Sequence, residues 1–366
     1  MKRFGYLAVI ATLVLTACED FQDITSERLS TYLMWIESDY LYFDSDTESQ
    51  KIEIKSNSKW NVSSFPNWIR VSPSSGKGNT TVTISVLKND GKEDREHALV
   101  FSCEGGIEPD SVVVRQDIPS SSLSFIVSGN GMTVSFKMKR VEKGSFTMGE
   151  VGYNNTHRVT LTKDYYMGET EVTQALWYAV MGQSPISDGS SWSSYYGIGD
   201  NYPAYYISYE DCQKFFTKLN NMTETQLPEG MSFQFPTEAE WEFAAKGGNK
   251  SKNYDFSGSK TLSAVGWYKV NSNDKIHIVK GLKANELGIY DMSGNVREWC
   301  YDWDGAYSSS AQTDPTGSGT GYYRIYRGGS WESSLAECQC YDRDGGSPTS
   351  RRDDLGVRLA LSSYQL

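Results

Sequence analysis

The sequence predicts a two-part chain, an all-β sandwich followed by a larger α+β domain. Three observations predict it. Residues 32–118 hold short runs that alternate apolar and polar side chains, regular helix-start signals follow residue 122, and Pro119 with Ser120–Ser122 punctuates the junction. A chain of 366 residues is long enough to build two cores.

Taken in order, the chain opens with Lys2 and Arg3, an apolar run from Leu7 to Leu15, and Leu15-Thr16-Ala17-Cys18. Such a run is too short to span a bilayer permanently, so residues 1–17 read as a secretory signal ending in a lipobox. Cleavage before Cys18 and lipidation of its thiol are expected; the alternative is an ordinary signal peptide holding a chance cysteine. Residues 18–31 would then be a tether. Glu19, Asp20 and Asp23 resemble the acidic export signal of surface lipoproteins in Bacteroidetes-type bacteria, which implies an outer-membrane or cell-surface location. Cleavage takes away Lys2 and Arg3, leaving 33 basic against 46 acidic side chains and a charge of −13. A surface of that sign repels nucleic acid and anionic lipid, so contact with a membrane is expected only through the anchor. Six cysteines, one of them taken by lipid, do not make a disulfide framework, although export permits isolated bridges.

In residues 32–118, Lys51-Ile52-Glu53-Ile54-Lys55 and Thr81-Val82-Thr83-Ile84-Ser85-Val86 have the period of two expected of half-buried strands. Short strands at this spacing argue for a β-sandwich. Ser56-Asn57-Ser58-Lys59-Trp60, Trp68-Ile69-Arg70-Val71-Ser72-Pro73, Ser75-Gly76, Gly78-Asn79, Asn89, Arg95 and Val112-Val113-Val114-Arg115-Gln116 together resemble a BACON domain. The resemblance implies an immunoglobulin-like sandwich that binds carbohydrate or mucin, or serves as a spacer. Trp60 and Trp68 are either a sugar-stacking platform or core residues, and the core is the reading taken because large aromatics dominate cores.

Residues 123–366 carry three helix signatures. Thr173 caps a helix over residues 174–181 that Gly182 closes. Ser208 with Asp211 starts a second, carrying Cys212, Phe215 and Leu219 at helical spacing, and Thr237 with Glu240 starts a third that Gly247-Gly248 stops. The rest is rich in Gly, Ser, Asn and aromatics, as expected of a loop-dominated α+β domain.

The motifs Gly144-Ser145-Phe146-Thr147-Met148-Gly149, Glu169-Thr170-Glu171-Val172-Thr173-Gln174, residues 236–248, residues 288–299 and Arg327-Gly328-Gly329-Ser330-Trp331 follow one another in order. With Leu355-Gly356-Val357-Arg358 near the end, they resemble the sulfatase-modifying factor family, also called the formylglycine-generating enzyme family. That implies a C-type-lectin-related α+β fold; activity is a separate question, since one scaffold hosts several functions.

In active members, the resemblance implies, two cysteines near the C-terminus hold a cuprous ion that activates oxygen and converts a sulfatase cysteine to formylglycine. Soft thiolates must converge on that metal. Counting from Arg327, the first falls on Ser333 and the second on Cys338, so one sulfur is missing and copper is not expected. Cys340 lies two residues beyond Cys338, off the family pattern and poorly placed as a clamp. Cys338 then reads as structural, bridged to Cys300 as one option. An iron site of the sulfoxide-forming branch is not expected either, because His97, His157 and His277 show no ligand spacing. Asp291, Gly294, Val296 and Glu298 match the family's calcium positions, two carboxylates and two carbonyls that would tie down a loop; the alternative is a capped turn with solvated acids.

Glu332, Ser334, Glu337, Gln339, Tyr341, Asp342, Asp344 and residues 351–354 occupy positions that vary in similar lipoproteins diversified by retroelements. A polar and aromatic loop surface on a rigid frame suits recognition of a protein or carbohydrate ligand, against the plainer alternative of a solvated loop. The expectation is therefore a surface lipoprotein with a non-catalytic ligand-binding module. The alternatives are a formylglycine-generating oxidase acting on sulfatase cysteines, with Cys338 and Cys340 as its thiols, and a scaffold component of a surface complex.

Overall fold

The computed structural model describes residues 34–36, 38–43, 49–89, 94–105, 109–116, 122–150, 156–184 and 192–363. The signal, Cys18, Glu19, Asp20, Asp23, the 18–31 tether and the Pro119–Ser121 junction lie outside the described residues. What is described is mostly β-structure with few helices, in two compact units. One unit holds residues up to Leu41, Glu48–Leu87 and Glu96–Val114; the other holds Tyr42–Thr47, Lys88–Arg95 and Arg115–Leu366.

The N-terminal strands are β1 (Met34–Ile36), β2 (Tyr40–Phe43), β3 (Ser49–Ser56), β4 (Lys59–Val62), β5 (Ile69–Ser72), β6 (Ser75–Lys77), β7 (Thr80–Val86), β8 (Arg95–Cys103) and β9 (Asp110–Gln116). They form one sheet of order β1-β3-β7-β5 and another of order β2-β9-β8-β4-β6. The alternation read from the sequence sets which side is dry: Ile52 and Ile54 on β3 pair with Val82 and Thr80 on β7, and Ile52, Ile54, Val82 and Ile84 are all buried. Trp60 is a core residue, with its Nε1 donating to the Gly78 carbonyl at 3.2 Å and its ring 6.2 Å from Phe101. Trp68 differs from the core expectation. It stands half-exposed on the turn leading into β5, where its backbone carbonyl accepts from Leu87.

The second unit contains β10 (Ser122–Gly129), β11 (Met132–Val141), β12 (Gly144–Met148), β13 (His157–Leu161), β14 (Tyr165–Gly168), β15 (Ser232–Gln234), β16 (Arg297–Trp303), β17 (Gln312–Thr313), β18 (Arg324–Arg327), β19 (Arg343–Gly346), β20 (Leu355–Gly356) and β21 (Ala360–Ser362). Its helices are α1 (Gln174–Met181), α2 (Tyr209–Thr223) and α3 (Glu238–Ala245). All three begin where the caps predicted: Thr173 accepts from the Leu176 amide, and Ser208/Asp211 and Thr237/Glu240 close reciprocal capping boxes. Gly182 ends α1 at φ 77°, a left-handed conformation that a side chain would strain.

The five-stranded sheet of this unit has order β10-β11-β14-β21-β15, so the last strand returns to lie between β14 and β15. One core lies around α1 and α2, where Trp177 stacks on Phe215 at 4.9 Å and Tyr209 on Phe235 at 4.0 Å. A second core lies around α3 and includes Trp241, Phe243, Ile325, Cys300 and Cys340. Among the described residues no helix is long and apolar enough to cross a membrane.

Candidate functional site

Three strand ends and two glycines build the C-terminal site. In the β19-β18-β16-β20 sheet, β16 carries Arg297 and Glu298 and pairs in parallel with β20, which fixes Arg297 opposite Leu355 and Glu298 opposite Gly356. On leaving β18 the chain turns through Gly328 and Gly329 at φ 96° and 68°. A Cβ at Gly329 would stand 2.7 Å from the Cys338 sulfur and 2.6 Å from the Glu337 carbonyl, so only glycine fits the approach of this turn to the cysteine.

That turn brings Ser333 and Cys338 to the same backbone amide. Ser330 N–H donates to Ser333 Oγ at 3.0 Å, and the same amide also stabilises the Cys338 sulfur. Ser333 Oγ also receives the Arg297 guanidinium at 3.0 Å and is buried. The hydroxyl is thus engaged by two donors, whereas a metal would need a free lone pair on a soft atom. Burial pushes the Cys338 thiol up to about 12 and keeps it protonated at neutral pH.

Cys340 belongs elsewhere. It sits in the core around α3, and burial pushes its thiol up to about 12 as well, whereas Cys338 packs with Phe256, Leu262 and Val265. The residues present therefore do not fit a cuprous ion: one sulfur, one occupied hydroxyl and a second sulfur in a different apolar cluster. The bridge between Cys300 and Cys338, one option for a structural Cys338, is not formed. Both are free thiols, and Cys300 shares its cluster with Cys340 rather than with Cys338. The loop after β18 splits its own two cysteines, Cys338 packing with Phe256 and Leu262 and Cys340 joining the cluster that holds Cys300. His157 lies against Tyr307 and His277 stacks on Trp267 at 3.8 Å, so these two imidazoles are engaged separately.

The loop over residues 288–298 puts Asp291 and Asn295 at φ 60° and 62° and Gly294 at φ 91°. Gly294 is required, since a Cβ would lie 2.2 Å from the Trp267 carbonyl oxygen. Of the four calcium positions, Glu298 is already committed. Its carboxylate accepts Arg358 Nη2 at 2.7 Å and Trp241 Nε1 at 2.6 Å, and all three side chains are buried. Asp291 Oδ2 accepts the Lys280 amide at 2.8 Å, while its Oδ1 is buried without a hydrogen-bond partner. Glu171, unassigned in the sequence reading, is in the same state: Asn295 donates to Oε1 at 3.1 Å and Oε2 has no partner. Burial, with each other's charge as a contribution at Glu171, holds Glu171 well above the usual carboxylate range and pushes Asp291 up to about 6. Calcium therefore fits in part. Asp291 and Glu171 offer open oxygens; Glu298 does not, and among the described residues no group of three or more His, Cys, Asp or Glu is disposed to hold a metal.

Arg297 is the residue that organises this region, and it was hidden between two predicted ligands in Val296-Arg297-Glu298. It bridges Asp354 at 3.0 Å, Glu337 at 3.1 Å and Ser333. Arg327 does the same for α3, reaching Glu238 at 2.8 Å, Glu242 at 2.5 Å and the Cys340 carbonyl at 2.7 Å. The loop positions expected to form a binding face divide accordingly. Glu332 and Ser334 are exposed and Glu337 is half-exposed, but Asp354 is fully buried beneath Arg297 and Arg352, and Arg351 is tied to Asp211 at 2.8 Å.

Residues 131–363 match the family described as the sulfatase-modifying factor enzyme 1-like domain, and the chain belongs to that family. Residues 58–117 match the BACON domain. The chain is similar to a protein named chaperone protein LppX of Paenibacillus barcinonensis, 32% identical over 286 residues that cover 66% of this chain and 95% of that one. It is also similar to the formylglycine-generating enzyme of Streptomyces coelicolor, 32% identical over 178 residues covering 44% of this chain and about half, 52%, of the enzyme. Among solved structures, variable protein 1 of Treponema denticola superposes with a TM-score of 0.57 at 32% identity, covering 65% of this chain and 98% of that one.

Proposed function

We propose that this protein is a lipid-anchored surface protein whose sulfatase-modifying-factor domain binds a protein or glycan ligand without redox turnover. The observation that carries the reading is Ser333, an engaged hydroxyl beside Cys338 where the oxidase chemistry calls for a second thiolate. Relatives named a chaperone and a variable protein support a non-catalytic use of the scaffold. In this reading the fold is the α+β, C-type-lectin-related one, the preceding BACON region over 32–118 is an immunoglobulin-like stalk, and Cys18 carries the lipid at the outer membrane or cell surface. A structural calcium ion is part of the proposal, held through Asp291 and Glu171 rather than Glu298.

The test is direct. The purified protein, loaded with copper(I) and given a cysteine-containing sulfatase peptide, is expected to consume no oxygen above the peptide-free control and to form no aldehyde. Turnover that disappears in Cys338→Ser would establish the oxidase instead.

A further inference from the structure

An aromatic array on the C-terminal unit borders more negative charge than its own arginines balance. Tyr195 is 67% exposed and meets Tyr196 edge-on, with ring centroids 4.8 Å apart. Tyr196 lies 6.3 Å from Tyr206 and 5.7 Å from Trp331. The hydroxyl of Tyr196 donates to Asp353, which joins the rings to the 351–354 loop, and the backbone ties Tyr206 to the same loop through Arg352 at 2.9 Å. Trp331, only 6% exposed, leaves its Nε1 without a hydrogen-bond partner beside Tyr196.

The charges follow the same loop. Arg297 is used by Asp354 and Glu337, and Arg352 by Asp354 at 2.8 Å, with only a 3.6 Å approach to Glu332. Four carboxylates, Glu332, Glu337, Asp353 and Asp354, are thus served by two guanidiniums. Glu332 bears the consequence: partial burial, then Asp354 and Asp353, raise its carboxyl above the ordinary range despite both arginines. A neutral ligand would leave this surplus unanswered. A cation would meet both features, because a ring face attracts it by roughly 0.5–2 kcal/mol and adjacent carboxylates add to that.

We propose that Tyr195, Tyr196, Glu332 and Asp353 form a docking face for a lysine- or arginine-bearing peptide segment of a partner protein. The proposal rests on the ligand-binding reading above and names the ligand's chemistry. The alkyl stem of the incoming residue lies on the tyrosines and its charge is met by the two carboxylates, with buried Trp331 backing the Tyr196 ring.

A fluorescein-labelled peptide with four lysines spaced by glycine and serine tests this by anisotropy at physiological salt, using the full chain. Saturable binding is expected, with none for the same peptide carrying serines in place of lysines. Glu332→Gln should weaken it about tenfold, and Tyr195→Ala by a similar factor, without moving the thermal midpoint. Glu53→Gln combined with Glu104→Gln removes two charges elsewhere, one more than Glu332→Gln, and should still change little. Absence of saturable binding overturns the proposal, as does equal weakening by the distant pair, which would mean bulk charge alone. An oligosaccharide panel run in parallel separates the two levels: a glycan bound through Tyr195 with no peptide binding refutes this inference and leaves the ligand-binding reading standing. Copper-dependent aldehyde formation would remove both.

Discussion

Glu240 is buried in the first turn of α3 because its carboxylate closes the cap, accepting the Thr237 amide at 2.9 Å. Burial, with the Asp314 charge adding to it against the Thr237 hydrogen bonds, pushes the group up to about 7 from an ordinary 4.5. The folded state therefore holds this proton more tightly than the unfolded chain, and stability contributed here falls as pH rises from about 4.5 to about 7 and then levels off. Glu240→Gln keeps an acceptor for Thr237 and removes the charge. It should match the parent at pH 4.5 and exceed it at pH 8 by up to roughly 3 kcal/mol in urea unfolding. A gap that does not change with pH would refute the assignment. The cap itself was legible, since Thr237 and Glu240 stand at the spacing a capping box needs. Its titration was not, because burial of Glu240 depends on residues far along the chain.

At the scale of elements, the loop over 288–298 is held by contacts from five other segments. Lys280 caps Asp291, Arg358 and Trp241 hold Glu298, and Asn295 links Glu171 to the Trp331 amide. The motif marked the loop and suggested its ligands, but the spacing could not show that Arg358 takes Glu298 or that Glu171 supplies an open oxygen. Those are matters of which strand lies beside which. With a bound calcium at about 100 times its dissociation constant, the domain gains about 2.7 kcal/mol. Chelation by EDTA should then lower the thermal midpoint by roughly 5–10 °C, with recovery on adding calcium and not magnesium. A midpoint indifferent to EDTA would mean that Arg358 and Lys280 alone neutralise the loop. The cysteines teach the same lesson: Cys300 and Cys338 invited pairing in sequence, yet neighbouring side chains alternate between layers, and the two thiols fall in separate cores.

At the scale of the whole molecule, the acidic charge and the lipobox predict a protein hanging from a membrane that its own surface would not otherwise approach. Cys18→Ser should abolish incorporation of labelled fatty acid and move the protein from the membrane to the soluble fraction; retention of label would place the lipid elsewhere. The sequence by itself determined the helices with their caps, the alternating strands of the N-terminal region and the family, and it raised the expectation that Ser333 stands where a thiol is called for. These are local or countable features, written in spacing and residue type. Only the tertiary structure decided that Ser333 is engaged by Arg297 and Ser330, that Cys340 and Cys338 pack in different apolar clusters, and that carboxylates outnumber guanidiniums beside Tyr195 and Tyr196. The Arg297 contact joins residues 36 apart and the meeting of the tyrosines with the 351–354 loop joins segments more than a hundred residues apart, and no periodicity along the chain records which side chains such a meeting will bring together.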